Sequence, residues 1–215
     1  GHYELMGIEN NVSFKTFTEN AFPRDMLETI ANKLKKGIIG NIIGNHLSII
    51  NRLGRRHLEN GSLIIYTTGD SDLEVAAHED IVPINELYQY AEEIREIAKR
   101  EEWKVGRVVA RPFTGQGEEF TLTNNVRYYT LTPPNKSVLD ILKNNELQVI
   151  SIGKVCDLYS GFGITKIIKA GNNQEGINKL IDIMDKNFTG LCFLNLSDFD
   201  TLYGHSRDLK GYAKE

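Results

Sequence analysis

The sequence predicts an α/β protein in two parts, and three observations carry that reading. Near the C-terminus, Leu191-Cys192-Phe193-Leu194 is a short apolar run that gives way to Asn195-Leu196-Ser197-Asp198-Phe199-Asp200-Thr201-Leu202-Tyr203-Gly204-His205. Such a run reads as a buried strand delivering carboxylates and an imidazole at its carboxyl end, where open α/β sheets place their sites. Upstream of Pro133, helical and strand patterns are mixed with long polar loops. Downstream, strand, helix and strand follow one another as in a parallel sheet, so the boundary falls at Pro133-Pro134.

Composition bounds the function. The chain has 215 residues, of which 40% are hydrophobic and 25% charged, enough apolar material for a sizeable core. A net charge of −4 leaves no basic footprint for nucleic acid. Cys156 and Cys192 lie far apart without metal-ligand spacing, which points to reduced thiols and a cytoplasmic location. No run approaches the length of a membrane span, and no basic-then-apolar leader is present. The chain opens at Gly1 and closes at Glu215 inside a helical-looking stretch, and reads as a piece of a longer protein.

Taken in order, Gly1 to Gly7 is expected to be a polar loop and residues 10–17 a strand. Pro23 opens a helix to about Lys36, with Met26, Leu27, Ile30 and Leu34 on one face and Gly37 closing it. Residues 38–43 form an apolar run between glycines, and His46 to His57 is helical, with Leu47, Ile50 and Leu53 aligned. Its arginines, Arg52, Arg55 and Arg56, read as a solvated face. Next, the β-branched run 61–67 breaks into Thr68, Gly69, Asp70, Ser71 and Asp72, which is either a ligand-facing loop or an ordinary turn or helix cap.

Residues 73–79 are expected to form a short helix and 83–102 a longer one, with Leu87, Ala91, Ile94 and Ala98 inward. Residues 106–112 form a strand whose alternation puts Arg107, Val109 and Arg111 on one face. Two guanidiniums on one face suit either sheet-edge charge or an anion site, because the planar fork matches phosphate. Residues 114–127 form a polar loop, 137–144 a helix and 148–153 a strand. Lys154 directly after that strand either meets solvent or holds a phosphate. Residues 173–186 form a helix with Ile177, Leu180, Ile181 and Met184 inward. At the final strand, Asp200 and His205 suit Mn²⁺, Zn²⁺ or Fe if other ligands join them, and equally suit a solvated turn.

Taken together, Gly1-His2-Tyr3-Glu4-Leu5-Met6-Gly7, Tyr66-Thr67-Thr68-Gly69-Asp70-Ser71, Ala76-Ala77-His78-Glu79, the run 105–113, Ile152-Gly153-Lys154 and the run 188–205 resemble bacterial phosphopentomutases, in one register along the whole chain. That family lies in the alkaline phosphatase superfamily. The resemblance implies an alkaline-phosphatase-like metal-binding core, partial in this chain (residues 1–13 and 131–215), and an inserted α+β cap domain (residues 14–130). It implies interconversion of ribose or deoxyribose 1-phosphate and 5-phosphate through a phosphothreonine beside two Mn²⁺ ions. Asp200 and His205 match metal ligands, Thr68 and Asp70 match residues facing the sugar, and Arg107 and Lys154 match residues holding the distal phosphate. The threonine nucleophile is expected upstream of Gly1 and further metal ligands beyond Glu215, so the 215-residue chain alone is expected to be inactive.

Departures from the family pattern bear on substrate range. Leu122 stands where an arginine is usual, Val126 and Tyr128 interrupt a usual Asn-Arg-x-Asp stretch, and residues 41–48 replace a usual Asn-Lys-Pro-Ala-Ser-Gly-Thr-Glu segment. Asp72 replaces an apolar residue near the sugar. Losing a guanidinium and adding a carboxylate should weaken anion binding. Two other readings follow: a metal-dependent phosphatase, and a sugar-phosphate binding or interaction module that has lost catalysis.

Overall fold

A computed structural model describes residues 1–9, 14–117, 119–204 and 207–215. In chain order its elements are α1 (His2–Leu5), α2 (Arg24–Leu34), β1 (Ile38–Ile43), α3 (His46–Asn60), β2 (Leu63–Thr67), β3 (Asp72–His78), α4 (Ile84–Ala98), β4 (Arg107–Gln116), β5 (Glu119–Leu122) and β6 (Arg127–Thr130). They continue as α5 (Val138–Asn144), β7 (Gln148–Ile152), α6 (Val155–Leu158), β8 (Lys166–Ile168), α7 (Asn173–Met184), β9 (Gly190–Leu194), a π-helical turn (Phe199–Gly204) and α8 (Leu209–Lys214). The chain divides into two compact units, Val12–Leu131, and Gly1–Asn11 with Thr132–Glu215.

The Val12–Leu131 unit is built on a mixed sheet ordered β1-β2-β3-β4, with β5 and β6 both antiparallel along the remaining edge of β4. β1–β2 and β3–β4 pair in parallel, and β2–β3 is antiparallel. Met26, Ile30 and Leu34 of α2 and Leu87, Ala91 and Ile94 of α4 pack on one face, against Leu63, Ile65, Leu73, Val75, Val108 and Ala110. On the other face Ile49 and Ile50 of α3 meet Ile39, Ile64, Tyr66, Ala76, Phe113 and Phe120. The side chain of Asn45 caps α3 by accepting from the N–H groups of Leu47 and Ser48, and Gly61 closes it in the left-handed conformation that favours glycine.

Several expectations change here. Residues 73–79 are not helical: they are β3, buried on both faces, so no alternation marks the strand. The expected loop 114–127 instead prolongs β4 to Gln116 and supplies β5. Residues 14–17 carry no strand, and residues 10–13 of that expected strand lie outside the described residues. Lys35 rather than Gly37 ends α2, and Leu47 is exposed while Ile50 is buried.

A buried histidine pair ties α3 to β3. His57 Nε2 accepts from the His78 backbone N–H at 2.9 Å, so Nδ1 carries the proton and donates to Ser62 O at 2.6 Å. A second proton would have no acceptor, and burial pulls the His57 pKa below its ordinary value, against the Ser62 carbonyl. The unfolded chain, with an ordinary imidazole, then binds more protons as pH falls below about 6.5, and stability is lost in that direction. We expect the thermal midpoint to be lower at pH 5.5 than at pH 7.5, and the difference to shrink in His57→Asn. An equal drop in the variant would contradict this.

The other unit holds a three-stranded parallel sheet ordered β8-β7-β9. Its core gathers Ile8, Leu139, Val149, Val155, Tyr159 and Ile164. Residues 1–7 are not merely a loop, since α1 lies there and the Tyr159 hydroxyl donates to the His2 carbonyl. In α7 only Leu180 of the expected inward row is even half-buried. Asn173, Gly176 and Ile183 are buried, whereas Ile177, Ile181 and Met184 are exposed. A Cβ on Gly176 would lie 2.8 Å from Leu194 Cδ1, so the glycine lets α7 lie against β9 without displacing that side chain.

Candidate active site

In the Val12–Leu131 unit, Thr68, Asp70 and Arg107 come together at one corner of the sheet. The hairpin between β2 and β3 carries Thr68 and Asp70, and Gly69 takes a φ of +100° that a side chain rarely adopts. The Thr67 hydroxyl accepts from Gly69 N–H at 3.2 Å, and the Thr68 hydroxyl reaches Asp70 Oδ2 at 3.5 Å. The turn is anchored to neighbouring chain, since Asp70 O accepts from Phe17 N–H and Ser71 O from Gly106 N–H at 2.8 Å. A Cβ on Gly106 would meet Ser71 Oγ at 2.5 Å, so glycine is what lets the start of β4 lie against the turn.

Along the same face runs a row of charges. Arg107 donates to Asp72 Oδ2 from Nε at 3.1 Å and also from Nη2, while its guanidinium lies over the Tyr128 ring, 5.3 Å from the centroid. Arg111 donates to both oxygens of Glu74, at 2.7 and 3.1 Å. Burial pushes the Glu74 carboxyl up and Arg111 opposes it, whereas for Arg111 the carboxylate outweighs burial and raises the guanidinium. With both oxygens facing guanidinium N–H groups, the ionised pair is the state that this geometry supports. Burial, then the Glu74 charge, holds the Tyr66 hydroxyl well above its usual pKa, and His46 Nδ1 lies 3.0 Å from that hydroxyl.

In the other unit, Lys154 caps the start of α6 directly after β7, and Asp200 lies on the π-helical turn beyond β9. Asp198, the acid two residues earlier, is committed elsewhere: its Oδ2 accepts from Asn173 N–H at 2.7 Å, and Asn173 Oδ1 accepts from Asp198 N–H at 3.0 Å. His205 lies outside the described residues. Burial raises the thiols of Cys156 and Cys192, which argues against either as a nucleophile.

A family model described as the metalloenzyme superfamily matches residues 18–215. The chain belongs to the metalloenzyme superfamily. Membership brings divalent-metal binding and enzyme-like character, and points to metal-dependent phosphotransfer or phosphate hydrolysis.

Asp200 fits a metal ligand by its chemistry and its exposure: it is a carboxylate on the turn directly beyond the last strand. Asp198 is nearly buried, and its Oδ2 already accepts from the Asn173 N–H. Among the described residues no three His, Cys, Asp or Glu side chains converge as a metal site, and no helix is long and apolar enough to cross a membrane.

Sequence reasoning missed Glu74, the pairing of Asp72 with Arg107, and the place of Tyr128 under the Arg107 guanidinium. The signal was the spacing: acids at 72 and 74 and arginines at 107 and 111 share a face once both runs are read as strands.

Proposed function

We propose that the complete gene product is a phosphopentomutase of the metalloenzyme superfamily. It interconverts ribose or deoxyribose 1-phosphate and 5-phosphate through a phosphothreonine and two Mn²⁺ ions. The observation that supports the reading is the placement of the Thr68–Asp70 turn beside the start of β4, which carries Arg107, in a chain of that superfamily with a carboxylate beyond its last strand. On this reading the Val12–Leu131 unit is the cap, with Thr68 and Asp70 toward the sugar and Arg107 and Lys154 on the distal phosphate. Asp200 and His205 take part of the metal pair. When bound, the metals neutralise charge on the reacting phosphoryl group, and the chain's cations position the other end of the sugar.

A second reading, a sugar-phosphate binding module without catalysis, rests on Leu122 and residues 42–48, which depart from the pattern of the resembled family. Product partition separates these and a phosphatase. With ribose 1-phosphate and Mn²⁺, the complete gene product is expected to form mostly ribose 5-phosphate. Predominant release of inorganic phosphate would establish hydrolysis instead, and no turnover would favour the binder.

A further inference from the structure

Arg107 flanks the Thr68–Ser71 turn, and its hydrogen bonds from Nε and Nη2 both run to one oxygen of Asp72. The ring of Tyr128 lies against the guanidinium, so its plane is fixed between a carboxylate and an aromatic face. An anion that used this fork would have to displace Asp72 or share the guanidinium with it. With Arg95, whose charge interacts with Asp72, the local groups Asp70, Asp72, Glu74, Arg95, Arg107 and Arg111 are three acids and three bases and sum to 0, so the arginines leave no surplus positive charge for an anion. Asp is also a poor strand residue, and the side chain at position 72 is nearly buried, so neither propensity nor solvation explains a carboxylate at the head of β3. What it does there is hold Arg107.

We propose that Asp72 sets the charge preference of this corner, weakening it for a dianionic phosphate ester by occupying Arg107, and so acts as a specificity-determining residue. The inference rests on the sugar-phosphate reading above and deepens it. Asp72 also lies within electrostatic reach of Arg95, whose Nε and Nη1 are buried without a hydrogen-bond partner. Removing the carboxylate therefore leaves two cations less compensated, and the isosteric variant is the first choice.

The test is calorimetric titration of the complete gene product with ribose 5-phosphate, with inorganic phosphate, and with uncharged ribose. Asp72→Asn and Asp72→Leu are each expected to bind both phosphates about tenfold more tightly, as fits releasing one guanidinium from a contacting carboxylate, with ribose unchanged. The gain should vanish when Arg107→Gln is added, and shrink at high salt. If both single variants are folded and bind phosphate no more tightly than the native protein, the inference is overturned. It is overturned equally if the gain survives without Arg107. Tighter inorganic phosphate with no affinity for ribose 5-phosphate would uphold the role of Asp72 while removing the pentose phosphate reading.

Discussion

Replacing Arg111 by methionine is expected to destabilise the chain by about 3–5 kcal/mol, the cost typical of removing one partner of a buried ion pair. Glu74 is 2% exposed and both its oxygens face Arg111, so the variant would leave a carboxylate in the sheet with water excluded. Methionine keeps much of the volume, which confines the loss to charge and hydrogen bonding. Adding Glu74→Gln should recover part of the deficit, because the orphaned group is then neutral. Urea unfolding of the native chain, the single variant and the double variant measures this. A single variant within about 1 kcal/mol of native, a loss no larger than that of one ordinary neutral hydrogen bond, would mean the pair is not the anchor of this face.

How far the sequence revealed this arrangement depended on which strands alternate. Residues 106–112 were legible as a strand with Arg107 and Arg111 on one face, and β4 carries them so. Their partners were not, because Leu73-Glu74-Val75-Ala76-Ala77-His78 is buried on both sides of a central strand, and its Ala and Glu content favours a helix locally. Pairing with β2 and β4 overrides that preference, and with β3 misread the acids at 72 and 74 had no face to share. The rotation of α7 was hidden for a related reason: Ile177, Ile181 and Met184 form a good apolar row, but the buried positions are Asn173, Gly176 and Ile183, two of which carry no apolar side chain to mark that side. The turn at Thr68-Gly69-Asp70 was legible only as a ligand-facing loop, an ordinary turn or a helix cap, because the strand that makes it a hairpin read as a helix. The paired hydrogen bonds between Asp198 and Asn173 needed coordinates.

On the proposed reading the second large effect belongs to Asp200. A bound divalent metal contributes several kcal/mol of transition-state charge stabilisation, and each 1.4 kcal/mol is a factor of ten in rate. Asp200→Ala in the complete gene product should therefore lower turnover of ribose 1-phosphate by roughly a thousandfold. Because Asp200 is exposed on a turn outside the hydrophobic core, the fold should survive, as circular dichroism and the thermal midpoint can check. The most direct measurement is Mn²⁺ content together with turnover, for native protein and Asp200→Ala purified in parallel. The account predicts about two Mn²⁺ per native molecule, fewer in the variant, and turnover that falls with metal content. A folded variant with native Mn²⁺ content and undiminished turnover of pentose phosphate would contradict it.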